Sequence, residues 1–193
     1  MTDRVLLCGL DEAGRGPLAG PVCAAAVILP EGFTNGVLAD SKKLSPIARE
    51  KAMSDIYRNA LAWGIGWASA EEIDRINILK ASLLAMERAF MFMIRTSGLN
   101  PDTICSLADG LYAPELPVPC EALVRADSLV PAVMAASILA KTARDRLMSY
   151  YGIFYPEYGY ETHKGYPTKN HREAIQRFGP STIQRMSFVV KKP

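Results

Sequence analysis

The chain has 193 residues, 49% hydrophobic and 22% charged, which is enough for one globular domain with a real core and argues against a disordered or fibrous protein. Its longest apolar stretch, Pro131 to Ala140, is ten residues with a serine in it, too short to span a bilayer, and Val5 to Leu10 is too short for the core of a signal peptide. A cytoplasmic protein without a membrane partner is expected. The net charge of +2 hides an asymmetry: residues 161–193 hold seven Lys/Arg and two Glu, while residues 1–160 hold fifteen Lys/Arg and eighteen Asp/Glu. An acidic body beside a basic end suits a cation-charged centre next to a wall that binds a polyanion. The four cysteines, Cys8, Cys23, Cys105 and Cys120, show no Cys-x-x-Cys spacing and read as reduced, core-filling residues rather than a zinc site.

In chain order, Arg4 to Leu10 is an apolar run fit for a buried strand, and it stops at two adjacent carboxylates, Asp11 and Glu12. Acids at the mouth of a core strand are costly unless something positive neutralises them, and oxygen ligands suit Mg²⁺ or Mn²⁺. Gly14-Arg15-Gly16-Pro17 follows, a bending loop whose amides and guanidinium fit an anion. Pro21 to Leu29 is a second strand, close enough to the first to pair antiparallel. Asp40-Ser41-Lys42-Lys43-Leu44 is a polar loop, with Asp40 ordering it. Ser45-Pro46 then starts a helix that runs to Asn59.

Leu61 to Ala68 alternates tryptophans and isoleucine with small residues, the period of a strand with its aromatics on one face. Ser69 and Glu72 form a capping box, and Asn77 can cap a longer methionine-rich helix that ends at Gly98. Glu71, Glu72 and Asp74 read as charges at a helix start. Thr103 to Ala108 and Glu121 to Ala126 are two more strands, ending at Asp109 and Asp127. Val133 to Tyr150 is a helix bearing Ser137, Lys141, Arg144 and Asp145, in which Asp145 pairs with Lys141. Tyr155 to Asn170 reads as an aromatic, glycine-rich loop, Arg172 to Phe178 as a helix, and Ser181-Thr182 as the cap of a last short one. His163 and His171 read as solvent-exposed, with assistance to a phosphate or a leaving group as the alternative for His163. The order of elements predicts an α/β domain, a mixed sheet flanked by helices. Its strand ends would bring Asp11, Glu12, Asp109 and Asp127 to one spot, where two divalent ions can clamp a phosphodiester for in-line displacement.

Five stretches together resemble one family. Gly9-Leu10-Asp11-Glu12-Ala13-Gly14-Arg15-Gly16-Pro17 looks like the opening motif of ribonuclease HII, the type 2 ribonuclease H. Asp40-Ser41-Lys42-Lys43-Leu44-Ser45, Ala135 to Lys141 with Arg144-Asp145, Lys164-Gly165-Tyr166-Pro167-Thr168 with His171, and Phe178-Gly179-Pro180-Ser181 with Arg185, Ser187 and Phe188 resemble its further motifs. The resemblance implies a ribonuclease H-like fold with a five-stranded sheet: a catalytic domain at residues 1–160 and a small basic helical segment at 161–193 that binds substrate. It implies an endonuclease that cuts 5′ of ribonucleotides embedded in duplex DNA, and within RNA–DNA hybrids, leaving 5′-phosphate and 3′-hydroxyl ends. Asp11, Glu12, Asp109 and Asp127 would be catalytic and would hold two Mg²⁺ or Mn²⁺ ions. Gly14, Arg15 and Gly16 resemble the loop that reads the 2′-hydroxyl, and Tyr166 the tyrosine that packs on the neighbouring sugar. Lys42, Ser137 and Lys141 are candidate phosphate contacts, with a solvated helix face as the alternative for Lys141. Asn77 is a candidate substrate contact, with helix capping as its alternative. We expect a monomer, and the sequence does not identify a replication or repair partner. The chain departs from the family at Leu111, where asparagine is common, at Leu129, where lysine is common, and at Gln184, where histidine is frequent. Another two-metal nuclease that cuts all-DNA junctions, or a non-catalytic hybrid-binding module, are the competing readings.

Overall fold

Val22–Ile28 (β2) is apolar at every position and buried at every position, the mark of a strand in mid-sheet with both faces covered. The structure, a computed structural model, describes residues 5–33 and 44–189. The loop that carries Asp40, Ser41, Lys42 and Lys43 lies outside the described residues. β2 pairs antiparallel with Leu6–Ala13 (β1) on one side and with Ala62–Ala68 (β3) on the other. Ile104–Asp109 (β4) runs parallel to β1, and Cys120–Leu123 (β5) runs parallel to β4, giving the order β3-β2-β1-β4-β5. This is the mixed five-stranded sheet expected.

Helices cover both faces. Ala70–Ile76 (α2) leads into Ile78–Ser97 (α3), which lies on one face over Cys8, Leu10, Ala24 and Ala26. Pro46–Asn59 (α1) and Pro131–Phe154 (α4) lie on the other, over Cys23, Ala25 and Val27. The strand period sends alternate residues of β1 and β2 into the two layers, and each layer closes with small residues. Gly9 shows why. A Cβ there would sit 2.2 Å from the Ala132 carbonyl carbon and 2.3 Å from the Val133 nitrogen, so only glycine lets the start of α4 press onto β1. On β3 the tryptophans share the α1 face, where Trp63 meets Tyr57 with ring centroids 4.3 Å apart.

The cap residues behave as the sequence predicts. Ser45 accepts from the Ala48 amide, Ser69 and Glu72 close a full capping box, and the chain leaves α3 through Gly98 in the left-handed region. Each of the two serine N-caps is worth about 1 kcal/mol. All four cysteines are free, with Cys8 and Cys23 buried. No helix among the described residues is long and apolar enough to cross a membrane.

Several boundaries differ from expectation. β1 does not stop at Leu10. Glu12 and Ala13 still pair with Ala24 and Cys23, so both acids are strand residues. β5 is short and mostly exposed, because it is the sheet edge, and its run ends at Leu123 instead of Ala126. The stretch after Tyr155 is no plain loop: it forms a 3-10 turn at Pro156–Tyr158 and a short helix, Tyr160–His163 (α5), before Thr168 caps Lys169–Phe178 (α6). Stacked and edge-to-face rings of Tyr155, Tyr158 and Tyr160 give that stretch a small core of its own. After Ser181 the described chain makes turns and one bridge, Gln184 to Ala19, in place of a helix.

Candidate active site

Three carboxylates converge through the register of the sheet. Leu10 pairs with Ala108 across the parallel β1–β4 pair, so the next residues, Asp11 and Asp109, are neighbours. Asp127 reaches them from a 3-10 turn, Ala126–Ser128, that joins the sheet edge to α4. The turn is entered through Arg125, whose φ of 63° reverses the chain. Oxygens of Asp11, Asp109 and Asp127 all lie within 4.8 Å of one another. Glu12 stands apart for a geometric reason. Strand alternation points it away from the α4 face that Asp11 shares, and its Oε1 accepts from the Arg15 guanidinium at 3.2 Å. It still lines the same cleft, a space of about 390 Å³ bounded also by Gly14, Arg49, Ser137, Lys141 and Tyr166.

The electrostatics are those of a site prepared for cations. Asp11 is 5% exposed, and burial raises its pKa well above the carboxylate range, with the charges of Glu12 and Asp109 pushing the same way. The Ser137 hydroxyl and the Glu12 amide, 2.7 Å from Oδ1, oppose that rise without cancelling it. Burial also raises Glu12, against the pull of Arg15. Oδ1 of Asp109 is buried with no hydrogen-bond partner in the protein. Hard oxygens, crowded, desolvated and incompletely hydrogen-bonded, fit a Mg²⁺- or Mn²⁺-type ion held by Asp11, Asp109 and Asp127, with Glu12 beside them.

Beside the acids stands a second group, built from two loops. Gly14, at φ 100°, opens the first. Tyr166 stands on the second, 40% exposed, and a Cβ on Gly16 would lie 3.7 Å from its ring edge. The Lys141 ammonium is 5.7 Å from the centre of the Tyr166 ring and 2.8 Å from Asp145. Asp145 therefore pairs locally as read, and it also takes Arg49 at 3.0 Å. Arg15 is half exposed, and Ser137 is buried against Asp11. Asn77 is not part of this cleft. Its side chain accepts from the Lys80 amide at 3.1 Å and caps α3 at a separate hollow near Asp74 and Ser187. Lys42 lies outside the described residues.

Some supporting residues escaped the sequence reading. His171 is fully buried instead of solvated: Nδ1 donates to the Tyr166 carbonyl at 3.0 Å, and its ring stacks on His163 at 4.5 Å. His163 is half buried, with Nε2 donating to the Tyr158 carbonyl and Nδ1 accepting from the Gly165 amide. Asp74 is more than a helix-start charge, since it accepts from the Met186 and Ser187 amides at 2.8 and 2.9 Å and ties down the C-terminal segment. Arg144 and Arg185 are both almost fully buried. Only Arg144 gave a readable signal: it follows Ala136 and Ala140 at helical spacing, on the stripe of α4 that faces the sheet.

The comparisons agree with this geometry. The family model described as Ribonuclease HII matches residues 8–191. A ribonuclease HII of Treponema denticola is 55% identical, over 96% of this chain and 99% of its own length. The crystal structure of the ribonuclease H2 from Pyrococcus horikoshii OT3 superposes with a TM-score of 0.74 at 25% identity, covering 96% of this chain and 95% of that one. The Bst ribonuclease HIII, solved in complex with Mn²⁺, shares the fold with a TM-score of 0.79 at 17% identity, covering 96% of this chain and 68% of that one. With the acidic cluster at the strand ends, a matching sheet and motifs along nearly the whole length, the chain belongs to the ribonuclease HII family and is a ribonuclease H-type nuclease.

Proposed function

We propose that this endonuclease cuts the phosphodiester 5′ of ribonucleotides embedded in duplex DNA, and within RNA–DNA hybrids, leaving 5′-phosphate and 3′-hydroxyl ends. The observation that carries the reading is the pairing of two sites side by side: a carboxylate trio at Asp11, Asp109 and Asp127, and the gap between Gly14 and Tyr166 in the cleft that Asp11 and Asp109 also line. Divalent ions of the Mg²⁺ or Mn²⁺ kind, two in the working state, would supply Lewis-acid polarisation of the phosphate and an acidified attacking water. The chain's own residues do the rest. Asp11, Glu12, Asp109 and Asp127 fix where those ions sit. Asp11 is buried, and a bound cation would offset the cost of its desolvation. Ser137 orients Asp11, and Lys141, on leaving its Asp145 partner, would meet a phosphate beside Tyr166.

Gly14-Arg15-Gly16 reads the ribose. Glycine lets the backbone approach a 2′-hydroxyl, the one group that separates RNA from DNA. The Tyr166 ring packs on the neighbouring sugar, where a deoxyribose fits and a 2′-hydroxyl is crowded. Arg15, now on Glu12, can exchange that partner for a phosphate. Asn77 serves as a cap in this reading. Residues 161–193 are the basic substrate-binding wall of a catalytic body at 1–160, so affinity should fall with added salt. We further propose a cytoplasmic monomer acting in ribonucleotide removal and DNA replication.

The test is cleavage of a duplex with one embedded ribonucleotide, with Mg²⁺ or Mn²⁺, beside an all-deoxy duplex. A single nick 5′ of the ribonucleotide, with the all-deoxy duplex intact, is the expected result. Equal cutting of both duplexes would favour a general two-metal nuclease, and binding without cutting would favour a non-catalytic module.

A further inference from the structure

Arg144 stands at the seam between the two loops of the sugar gap. From α4 its guanidinium donates to three backbone carbonyls: Nε to Pro21 at 2.9 Å, Nη2 to Ala19 at 3.2 Å and Nη1 to Lys164 at 3.0 Å. Pro21 and Ala19 belong to the loop opened by Gly14-Arg15-Gly16. Lys164 begins the loop that ends in Tyr166. The side chain also fills the space under Gly14, where a Cβ would fall 2.0 Å from Nε. Burying a guanidinium is costly, and burial lowers the pKa of this one. Its five donors in a fixed plane suit it to hold carbonyls from two loops at once.

A second arginine shows what bridging adds. Arg185, equally buried, donates to the carbonyls of Gly14 at 2.6 Å, Arg15 at 3.0 Å and Gly20 at 2.8 Å. All three belong to the first loop. Arg185 therefore shapes one wall of the gap, and Arg144 spans both. Few other bonds cross the seam: the Leu18 amide donates to the Gly165 carbonyl at 2.8 Å. Gly165 itself, at φ 85°, has no room for a side chain, because a Cβ would meet the Ala19 carbonyl oxygen at 2.5 Å.

We propose that Arg144 is a positioning residue that sets the distance between the Gly14-Arg15-Gly16 loop and Tyr166, and thereby the enzyme's selectivity for an isolated ribonucleotide. The proposal rests on the sugar-reading function given above. Arg144 does not touch the substrate; it acts through carbonyls. The carboxylates are carried by β1, β4 and the Asp127 turn, and the three carbonyls that Arg144 holds lie outside all of these.

The test compares kcat and KM on two substrates, a duplex with one ribonucleotide and a hybrid with an uninterrupted RNA strand, for wild type, Arg144→Lys and Gly165→Ala. Lysine keeps the charge and loses the fork. Alanine at 165 presses on the Ala19 carbonyl that Arg144 holds, and so wedges the loops apart without altering the Arg144 side chain itself. Misplacement on the scale of 1 Å costs about 100-fold, so Arg144→Lys should lose about 100-fold in kcat/KM on the single ribonucleotide and under about tenfold on the continuous RNA. The Mn²⁺ concentration for half-maximal rate on continuous RNA should not move. Gly165→Ala should shift selectivity in the same direction, and it decides the matter if Arg144→Lys folds poorly. Equal losses on both substrates in the two variants, or unchanged selectivity in Gly165→Ala, would overturn the proposal while leaving the sugar-reading function standing. Wild-type protein that cannot cut the single-ribonucleotide duplex would overturn that function and this proposal with it.

Discussion

The two halves of the cleft are built by different means. The carboxylate half is regular. Asp11 and Asp109 owe their juxtaposition to strand register, and sliding one strand by a residue would turn every side chain to the opposite face. The half proposed to read the sugar is irregular. Its loops have little ladder pairing, and buried side chains hold them instead: Arg144 and Arg185 on carbonyls, His163 and His171 under Gly165 and Tyr166. The difference teaches where each half is vulnerable. A ligand set carried by two strands and one turn fails when a ligand is removed. A loop-borne gap fails when a support that never meets the substrate is removed.

Experiments that damage one half alone can break or sharpen this comparison. The largest effect is expected from the carboxylates. Asp109→Asn and Asp127→Asn should each lower kcat by about 10³-fold or more, the scale of losing a group that stabilises developing charge, on every substrate alike. Single-turnover cleavage measures this, and near-normal rates for either variant would remove that residue from the ligand set. Tyr166→Ala should cost about tenfold to a hundredfold on a single ribonucleotide and clearly less on a continuous RNA strand, because it damages only the gap. Equal losses on the two substrates would make the ring structural.

A third effect is on stability. Burial pushes His171 down to about 4. The unfolded chain, near 6.5, then binds a proton that the folded chain refuses. The contribution is complete above pH 6.5 and declines as pH falls towards 4, by about 1–2 kcal/mol between pH 7 and pH 5. His163, also lowered by burial, adds a slope of the same sign. Thermal melts of wild type and His171→Asn across that range should show a shallower slope in the variant; identical slopes would contradict the assignment. The smallest effect belongs to Asp74→Ala. Loss of its bonds to Met186 and Ser187 should cost about 1 kcal/mol in a denaturant melt, since neutral partners regain water.

The same contrast explains what was legible in the sequence. Strands, caps and the acids announce themselves by period and residue type. Asp11-Glu12 and the Asp109 and Asp127 strand ends could be found from apolar runs that break at a carboxylate. Even there the strand reading ended β1 too early, because nothing local says that Ala13 still has a partner in Cys23. The motif resemblance pointed to Gly14-Arg15-Gly16 and Tyr166. Apart from Arg144, on the sheet-facing stripe of α4, the supports were hidden, since burial of a charged residue depends on tertiary contacts far along the chain. Arg185 reaches Gly14 across 171 positions. His171 follows a helix cap, a place where exposure is the ordinary outcome, and it is buried because the aromatic stretch from Tyr155 folds back over it. Asp74 looked like a helix-dipole charge because its partners, Met186 and Ser187, are far along the chain.

The separation of cutting from reading is tested most directly by equilibrium binding of Asp109→Asn to fluorescent duplexes in Ca²⁺, one with a single ribonucleotide and one all-deoxy. If the two halves are distinct, the variant binds the ribonucleotide duplex in preference to the all-deoxy one, as wild type does in the same buffer, while cutting neither in Mg²⁺. A variant that loses the preference together with cleavage would contradict the account, because the carboxylates would then be doing the reading as well.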